Sequence, residues 1–328
     1  MTNPLDLDPI AAAQRIAPYI RRTPLVRLLD GTSPPPAHLK LESLQVTGSF
    51  KIRGAANAIA ALCERANGGA GVGVVACSSG NHGKAVAHMA GVMGVPATIC
   101  VPDWVDPVKL QGMRASGATV VLAGKTYDEA EIRAAAIAAQ GAHMIHPFDA
   151  PRVIEGQSTV AVEVLDQRPQ VRTVVIPLSG GGLAGGMATV LAAAGKRVIA
   201  ASARSANVML QSLEAGRPVE CEEEDTLATA LSGGIGLDNR WSFDLIRRQI
   251  PEHVTVSEPQ ISDAIRWAYR RGLVVEGGGA VALAACLSGL VETDPETTVA
   301  VVSGGNLDPA TLMAVLRKGA GGPESAGA

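Results

Sequence analysis

Lys51 is the residue whose type and neighbours point most directly to chemistry. It lies in the segment Ser49-Phe50-Lys51-Ile52-Arg53-Gly54-Ala55, after the polar turn 45–48. A lysine in such a segment is most often a solvated helix charge. In a dry pocket the ammonium form is costly, the pKa falls, and the free amine can form a Schiff base. The sequence thus offers two interpretations of Lys51, and the second makes it a reactive nucleophile.

Three segments rich in serine and glycine each follow a stretch that predicts a strand. They are 78–83 (SSGNHG), 179–186 (SGGGLAGG) and 303–306 (SGGN). Small residues at a strand–helix junction leave backbone N–H groups open to an anion. The first segment fits either an anion site or an ordinary capped turn. The three consecutive glycines of the second favour a phosphate cradle. For the third, a plain turn serine is the simpler interpretation.

The second segment also matches a dinucleotide fingerprint. Gly180, Gly182 and Gly185 satisfy G-x-G-x-x-G. NAD sites of this type place an acidic residue about 20 positions further on, where it binds the ribose hydroxyls. The region around Arg204 contains no Asp or Glu. NAD is therefore disfavoured, and Arg204 leaves an NADP oxidoreductase as a remote alternative.

Composition and missing motifs exclude several classes of protein. The 328 residues carry 28 Lys and Arg against 31 Asp and Glu, a net charge of −3. With no basic excess to neutralise phosphates, we expect no nucleic-acid partner. No run of about 18 apolar residues predicts a membrane span. The chain has no G-x-S-x-G hydrolase motif and no H-E-x-x-H metal motif. The five scattered cysteines are typical of reduced thiols in a cytoplasmic protein.

Apolar stretches alternate with alanine-rich ones along most of the chain. The pattern predicts strands at 71–79, 96–102, 118–124, 172–178, 197–203 and 298–302, and helices at 83–93, 107–117, 126–140 and 153–167. Thr126 is the expected cap of the third helix. Continuous apolar strands separated by helices indicate parallel sheets covered on both faces. The boundary between two such series falls near 147–151, and the polar segment 214–225 predicts a solvated loop.

Together these motifs resemble the fold-type-II pyridoxal-phosphate enzymes, specifically the threonine/serine dehydratase and serine racemase family. The resemblance extends over nearly the whole chain. Its signals are, in order, TPL at 23–25, KLE at 40–42, SFKIRGA at 49–55, SSGNHG at 78–83, HPFD at 146–149, GQ at 156–157, SGGGLAGG at 179–186, Glu276 and SGGN at 303–306.

The resemblance implies an α/β fold of the tryptophan synthase β type. Two doubly wound parallel-sheet domains would hold the cofactor in the cleft between them. The large domain would comprise 1–70 and 151–320 and the small domain 71–150, with a disordered tail at 321–328. The family commonly forms homodimers, so a homodimer is expected.

The cofactor implied by the resemblance is pyridoxal 5′-phosphate. Lys51 would hold it through a Schiff base and later remove the substrate α-proton. Phe50 would pack against one face of the pyridine ring, Asn81 would hydrogen-bond the ring hydroxyl, and Ser303 the ring nitrogen. Glu276 is a further expected cofactor-binding residue.

Two more groups of residues receive roles from the resemblance. The cofactor phosphate would accept hydrogen bonds from the loop that begins at Ser179, through the N–H groups of Gly180, Gly181, Gly182 and Leu183. The carboxylate of a small amino-acid substrate would be held by Ser78, Asn81 and His82.

The implied reaction is elimination. A serine at the ring nitrogen moderates the electron sink, which favours prompt loss of a β-substituent. The cofactor phosphate can supply the proton on which a β-hydroxyl leaves. The expected enzyme is a dehydratase (ammonia-lyase) that converts L-threonine or L-serine to a 2-oxo acid and ammonia. The segment 231–240 resembles the hydroxyectoine-utilisation dehydratase branch, which is one alternative for the pathway.

Ser79 keeps a second reaction open. Serine racemase has serine at this place, where it acts as the acid and base opposite the lysine, so serine racemase is the alternative activity. Family members that bind a divalent cation have acidic ligands where this chain has Ser202 and Val208. Since valine cannot ligate a cation, we expect no metal there.

Overall fold

The computed structural model describes residues 5–27, 37–66, 71–222 and 224–318. The expected disordered tail at 321–328 lies outside them. Within them the helices are α1 (Pro9–Ile16), α2 (Lys51–Arg65), α3 (Asn81–Met93), α4 (Pro107–Ala115), α5 (Tyr127–Ala139), α6 (Pro151–Gln167), α7 (Gly182–Ala193), α8 (Val208–Ala215), α9 (Trp241–Gln249), α10 (Glu258–Tyr269), α11 (Gly277–Leu287) and α12 (Pro309–Lys318). None of these helices is long and apolar enough to cross a membrane.

The described strands form two separate sheets. They are β1 (Leu25–Val26), β2 (His38–Leu41), β3 (Val74–Cys77), β4 (Ala97–Val101), β5 (Thr119–Leu122), β6 (His143–Met144), β7 (Thr173–Pro177), β8 (Arg197–Ala203), β9 (Glu252–Val256) and β10 (Thr298–Val302). The larger sheet has the order β1-β2-β10-β7-β8-β9 and the smaller the order β5-β4-β3-β6. All pairs are parallel except β1 with β2. The predicted parallel α/β architecture is confirmed, with an antiparallel edge strand added.

Besides the short edge strand β1, two longer strands of the larger sheet were not predicted, β2 and β9. The sequence of β2 is HLKL, in which apolar and polar residues alternate, yet all four residues are buried. The sequence of β9 is EHVTV, a mostly half-buried strand at the edge of the sheet. Neither forms the continuous apolar run that marks the central strands, so neither stood out in the sequence.

Helices cover both faces of the larger sheet. Successive residues of a strand point to opposite faces. Val175 and Ala300 accordingly lie in a buried cluster with residues of α10 and α11. Their neighbours Val174 and Val301 lie in a second cluster with residues of α6, α7 and α9.

The smaller sheet is covered in the same way. Val74 and Ile99 pack with residues of α2 and α3, whereas Val75 packs with residues of α5. The predicted cap of α5 is confirmed: Thr126 accepts a hydrogen bond from the N–H of Glu129, whose side chain bonds back to the N–H of Thr126. Both sheets therefore have the doubly covered form that the strand pattern predicted.

A buried ion network fixes the start of α2 against its surroundings. Arg53 is fully buried and donates to both carboxylate oxygens of Glu42, at 2.7 and 2.8 Å. It also donates to Glu163 of α6 at 2.7 Å, and Lys40 of β2 donates to the same carboxylate at 2.5 Å. Burial alone would raise the pKa of Glu163, but its hydrogen bonds and ion pairs with Arg53 and Lys40 outweigh burial and lower it. The network thus joins β2, α2 and α6.

We expect Arg53→Ala to destabilise the protein strongly. It would leave the buried carboxylate of Glu42 without its cation, which typically costs about 3–5 kcal/mol in the free energy of unfolding. Urea denaturation of the variant and the parent measures the difference. The control is Arg247→Ala, which removes an exposed pair with Asp244 and should change stability by at most about 0.5 kcal/mol. Equal losses in the two variants would contradict the role given to the network.

Candidate active site

Lys51 is the first residue of α2, and its backbone is tied to the end of β10. The N–H of Phe50 donates to the carbonyl oxygen of Ser303 at 3.0 Å, and Ser49 forms a β-bridge with Gly304. The segments 49–55 and 303–306, which carry two of the sequence motifs, therefore meet. The Nζ of Lys51 donates to the carbonyl oxygen of Pro147 at 2.7 Å and lies 5.2 Å from the centroid of the Phe50 ring.

The electrostatic setting of Lys51 is that of a reactive amine. Burial lowers its pKa to about 8, and the nearby charge of Glu276 only partly opposes this effect. At neutral pH a sizeable fraction of such an amine is unprotonated, whereas an ordinary lysine is almost wholly charged. Of the two interpretations left open by the sequence, the structure favours the desolvated nucleophile.

Asn81 links the segment 78–83 to the segment 303–306. It begins α3, and its Nδ2 donates to Oε1 of Glu276 at 2.6 Å. Its Oδ1 accepts from Nδ2 of Asn306 at 2.7 Å, and Asn306 also donates to the carbonyl oxygen of Thr47 at 2.9 Å. The amide of Asn81 is thereby held in one orientation between two neighbours.

Close packing accounts for the glycine after Ser303. A Cβ on Gly304 would overlap the carboxylate of Glu276, and the N–H of Glu276 donates to the carbonyl oxygen of Gly304 at 3.2 Å. Ser303 itself is buried, and its hydroxyl lies 3.5 Å from the carbonyl oxygen of Gly278, at the limit of a hydrogen bond. The hydroxyl can therefore form a stronger hydrogen bond with another partner. The interpretation of Ser303 as a plain turn serine does not account for this.

The triple-glycine loop lies between β7 and α7. Gly181 has φ +86°, a left-handed conformation that suits glycine. Side chains at Gly180 or Gly182 would run into Phe148. The first N–H groups of a helix have no partner within it, and the helix dipole adds positive potential there. The loop thus has the backbone donors, the positive potential and the close packing expected of an anion site. The hydroxyl of Ser179 donates to the carbonyl oxygen of Leu231 at 2.9 Å.

Asp149 holds the neighbouring segment in place. Its carboxylate accepts three backbone hydrogen bonds, from Arg240 and Trp241 at 2.8 Å and from Ser242 at 2.7 Å. These N–H groups begin α9, so Asp149 caps that helix and neutralises its positive end. Because Phe148 and Pro147 precede it directly, the cap also fixes the wall of the glycine loop and the carbonyl bound by Lys51.

His82 cannot play the predicted role through its side chain. Its Nε2 lies 2.7 Å from the carbonyl oxygen of Ile145, which can only accept, so Nε2 carries the proton. Burial, followed by the charge of Lys51, lowers the pKa of His82 to about 3. The ring is therefore neutral and its Nδ1 is an acceptor, which cannot donate to a carboxylate. Of the donors of His82, only its backbone N–H near the start of α3 could therefore hold a substrate carboxylate as predicted.

The two serines of the same loop have different surroundings. Ser78 accepts a hydrogen bond from the N–H of Gly80 at 3.2 Å and shapes the turn into α3. Ser79 is buried, and its hydroxyl is hydrogen-bonded to the phenol oxygen of Tyr127 at the start of α5. No pattern in the sequence pointed to this tyrosine, since 48 residues separate it from Ser79.

A sequence profile described as pyridoxal-phosphate dependent enzyme matches residues 16–304. The chain belongs to this family. It is 42% identical over 313 residues to a Sinorhizobium fredii protein provisionally named a threonine dehydratase, covering 93% of each chain. It is 37% identical to the L-threonine ammonia-lyase of Thermotoga maritima, covering 96% of this chain and 79% of that one. Maize serine racemase superposes with a TM-score of 0.85 at 32% identity, covering 96% of this chain and 98% of the other.

Family membership confirms the predicted cofactor, fold class and enzymatic character. This pyridoxal-phosphate dependent enzyme also has side chains that fit the cofactor. It has a buried amine of lowered pKa, a glycine loop that Cβ atoms would fill, and a buried serine hydroxyl with a weak partner. The comparisons give no support to the NADP oxidoreductase considered from G-x-G-x-x-G.

At the two positions where family members have acidic cation ligands, this chain has a serine whose hydroxyl already donates a hydrogen bond and a valine. Ser202 is buried and donates to the carbonyl oxygen of Leu178 at 2.9 Å, and Val208 begins α8. Among the described residues, no group of three His, Cys, Asp or Glu could hold a metal ion.

We expect Gly180→Ala and Gly182→Ala to impair cofactor retention, for different reasons. The atoms nearest to a new Cβ at 180 belong to the ring of Phe148, whereas a Cβ at 182 would meet backbone atoms of Phe148, its oxygen at 2.7 Å and its Cα at 2.9 Å. Adding Phe148→Ala, which removes the ring and its Cγ, should therefore restore pyridoxal-phosphate retention to the first variant but not to the second. Equilibrium dialysis measures retention, with Gly112→Ala as the control because its Cβ would meet nothing within 4 Å. Rescue of both variants would contradict the backbone clash.

The lowered pKa of Lys51 can be tested without the cofactor. In the apoenzyme we expect reductive methylation of Lys51 by formaldehyde to be half-maximal near pH 8, because only the free amine reacts. At pH 7 about a tenth of this amine would be free, against less than about a thousandth of an ordinary lysine. Mass spectrometry of peptides labelled across a pH series gives both profiles, with the exposed Lys318 as the internal comparison. Coincident profiles for the two lysines would rule out the desolvated amine.

Proposed function

We propose that this enzyme is an ammonia-lyase that removes the β-hydroxyl of L-threonine or L-serine and releases a 2-oxo acid and ammonia. The observation that carries the proposal is the amine of Lys51, whose pKa is lowered to about 8 beside the ring of Phe50. The relatives named threonine dehydratase and L-threonine ammonia-lyase support the same activity.

Five parts of the chain would hold pyridoxal phosphate. Lys51 would form the covalent link and Phe50 would cover one face of the ring. The loop 179–183 would bind the phosphate through backbone N–H groups. Ser303 would hydrogen-bond the ring nitrogen, and Asn81 with Glu276 would lie at the opposite edge. When bound, the cofactor supplies electron withdrawal that acidifies the α-proton of the substrate.

The protein groups would then perform acid–base work. The amine of Lys51 would take the α-proton, a role for which a pKa near the working pH is well matched. The carbonyl oxygen of Pro147, 2.7 Å from Nζ, would keep that amine oriented. The substrate carboxylate would lie against the N-terminus of α3, where the N–H groups of Asn81 and His82 and the hydroxyl of Ser78 are available donors.

Serine racemisation is the second candidate activity. Racemisation needs a proton donor on the face of the α-carbon opposite Lys51. Ser79 lies in the loop proposed to bind the substrate carboxylate, and its hydroxyl is hydrogen-bonded to Tyr127. The likeness to maize serine racemase also supports this activity. The two activities are compatible, since elimination and racemisation both begin with loss of the α-proton.

The wider organisation belongs to the same proposal. We infer a large domain of 1–70 and 151–320 and a small domain of 71–150, which contribute the larger and smaller sheets respectively. A homodimer and a cytoplasmic location complete it. All five cysteines are free, as a reducing compartment would require.

The decisive experiment compares Lys51→Ala with the parent enzyme. We expect the variant to lose both ammonia release from L-threonine and L-serine and the visible absorption of the bound cofactor, because no other amine can replace the covalent link. Lys318→Ala removes an exposed lysine and should leave both unchanged. A Lys51→Ala enzyme with full ammonia release would refute the proposal, as would a parent that turns over neither amino acid.

A further inference from the structure

The hydroxyl of Ser79 is connected to the protein surface through a single side chain. Ser79 itself is only 6% exposed, and its hydroxyl is hydrogen-bonded to the phenol oxygen of Tyr127. Tyr127 is 45% exposed. The phenol therefore spans from a buried hydroxyl at the candidate active site to solvent.

The ring of Tyr127 is held in place by its surroundings. Its edge packs against Trp104, with centroids 5.7 Å apart and planes at 79°. The indole of Trp104 in turn donates to the carbonyl oxygen of Lys125 at 2.9 Å. Directly before Tyr127, the capping box of Thr126 and Glu129 fixes the start of α5. A side chain fixed in this way can hold its hydroxyl against Ser79 at little further cost in conformational entropy.

We propose that Tyr127 positions Ser79 and relays protons between it and solvent during racemisation. The inference rests on the proposed function, of which it specifies one residue. Ser79 would give its hydroxyl proton to the α-carbon of the substrate, Tyr127 would give its own to Ser79, and water would restore that of Tyr127. The C–H bond that Lys51 breaks on one face is replaced by one formed on the other, and each oxygen regains the proton it gave. The proton taken up by Lys51 passes to water as water reprotonates Tyr127, so no net proton is consumed. The reverse sequence removes the α-proton of the D-enantiomer.

The relay answers a difficulty in the use of a buried serine. A serine that gives up its proton becomes an alkoxide, and an unpaired charge in a buried position is costly. A phenol hydroxyl that is already hydrogen-bonded to Ser79 can return a proton to that oxygen directly, so the charge does not persist in the buried position. Elimination has no such requirement, since it needs no proton from the side of Ser79. Loss of the phenol hydroxyl should therefore separate the two reactions.

The experiment uses the holoenzyme with L-serine and the variant Tyr127→Phe. D-serine formation should fall by about tenfold or more, while ammonia release stays within about twofold of the parent. Tyr269→Phe is the matched control, because Tyr269 is 44% exposed at the end of α10, and it should change neither rate. An unchanged ratio of D-serine to ammonia in Tyr127→Phe would overturn the relay. So would an equal fall of both activities, which is the sign of a purely structural residue.

A second measurement uses the apoenzyme and is independent of turnover. The chain has three tyrosines, so a change in the surroundings of one of them can be followed by ultraviolet difference absorbance at neutral pH. Ser79→Ala should change the tyrosine absorbance, because it removes the hydrogen-bond partner of Tyr127. The change should be absent when Tyr127→Phe is already present. Unchanged absorbance in Ser79→Ala would overturn the pairing.

The outcomes distinguish the relay from the proposed function. A parent that releases ammonia but forms no D-serine would overturn the relay and leave the ammonia-lyase standing. A parent that forms D-serine without releasing ammonia, with D-serine formation lost in Tyr127→Phe, would support the relay and remove the ammonia-lyase.

Discussion

The guanidinium of Arg53 is the interaction on which the active site most depends. It lies two residues after Lys51 in α2 and is fully buried between the carboxylates of Glu42 and Glu163. Moving Arg53 away from these two carboxylates would leave buried charges unpaired, which is strongly destabilising, so the ion pairs hold this part of the helix against its surroundings. The first turn of α2 is therefore held in one place, and the amine of Lys51 is held with it. A flexible lysine becomes a positioned one because the charge two residues later cannot move.

Glycine provides the second constraint, and it acts by allowing close approach. At Gly304 the space of a side chain is taken by Glu276, and at Gly180 it is taken by Phe148. These approaches bring the end of β10 against the start of α11, and the loop after β7 against the segment that precedes α6. In parallel sheets the carboxyl ends of the strands share one edge, which is where ligands bind in such folds. The glycines thus set how tightly that edge closes around a ligand.

The sequence predicted the parts of this site that depend on local pattern. Apolar runs located the central strands, and clustered glycines located the loops that follow β3, β7 and β10. Contacts between distant segments could not be predicted, because nothing in the local pattern encodes them. The burial of Lys40 in β2 depends on Glu163, 123 residues away, and the cap formed by Asp149 lies 91 residues from its first donor. Which ring nitrogen of His82 carries the proton likewise depends on the carbonyl oxygen of Ile145, the residue directly after β6.

The charges of the site are arranged so that its anions are bound without cationic side chains. The segments proposed to bind the cofactor phosphate and the substrate carboxylate are the N-termini of α7 and α3, which offer N–H groups and partial positive charge. His82, whose pKa is lowered to about 3, adds no charge. Glu276 is the charge that opposes burial at Lys51, and it also acts on Lys84 of α3. Burial outweighs it and lowers the pKa of the Lys51 amine to about 8, low enough for the free base to form yet high enough for it to take up a proton again.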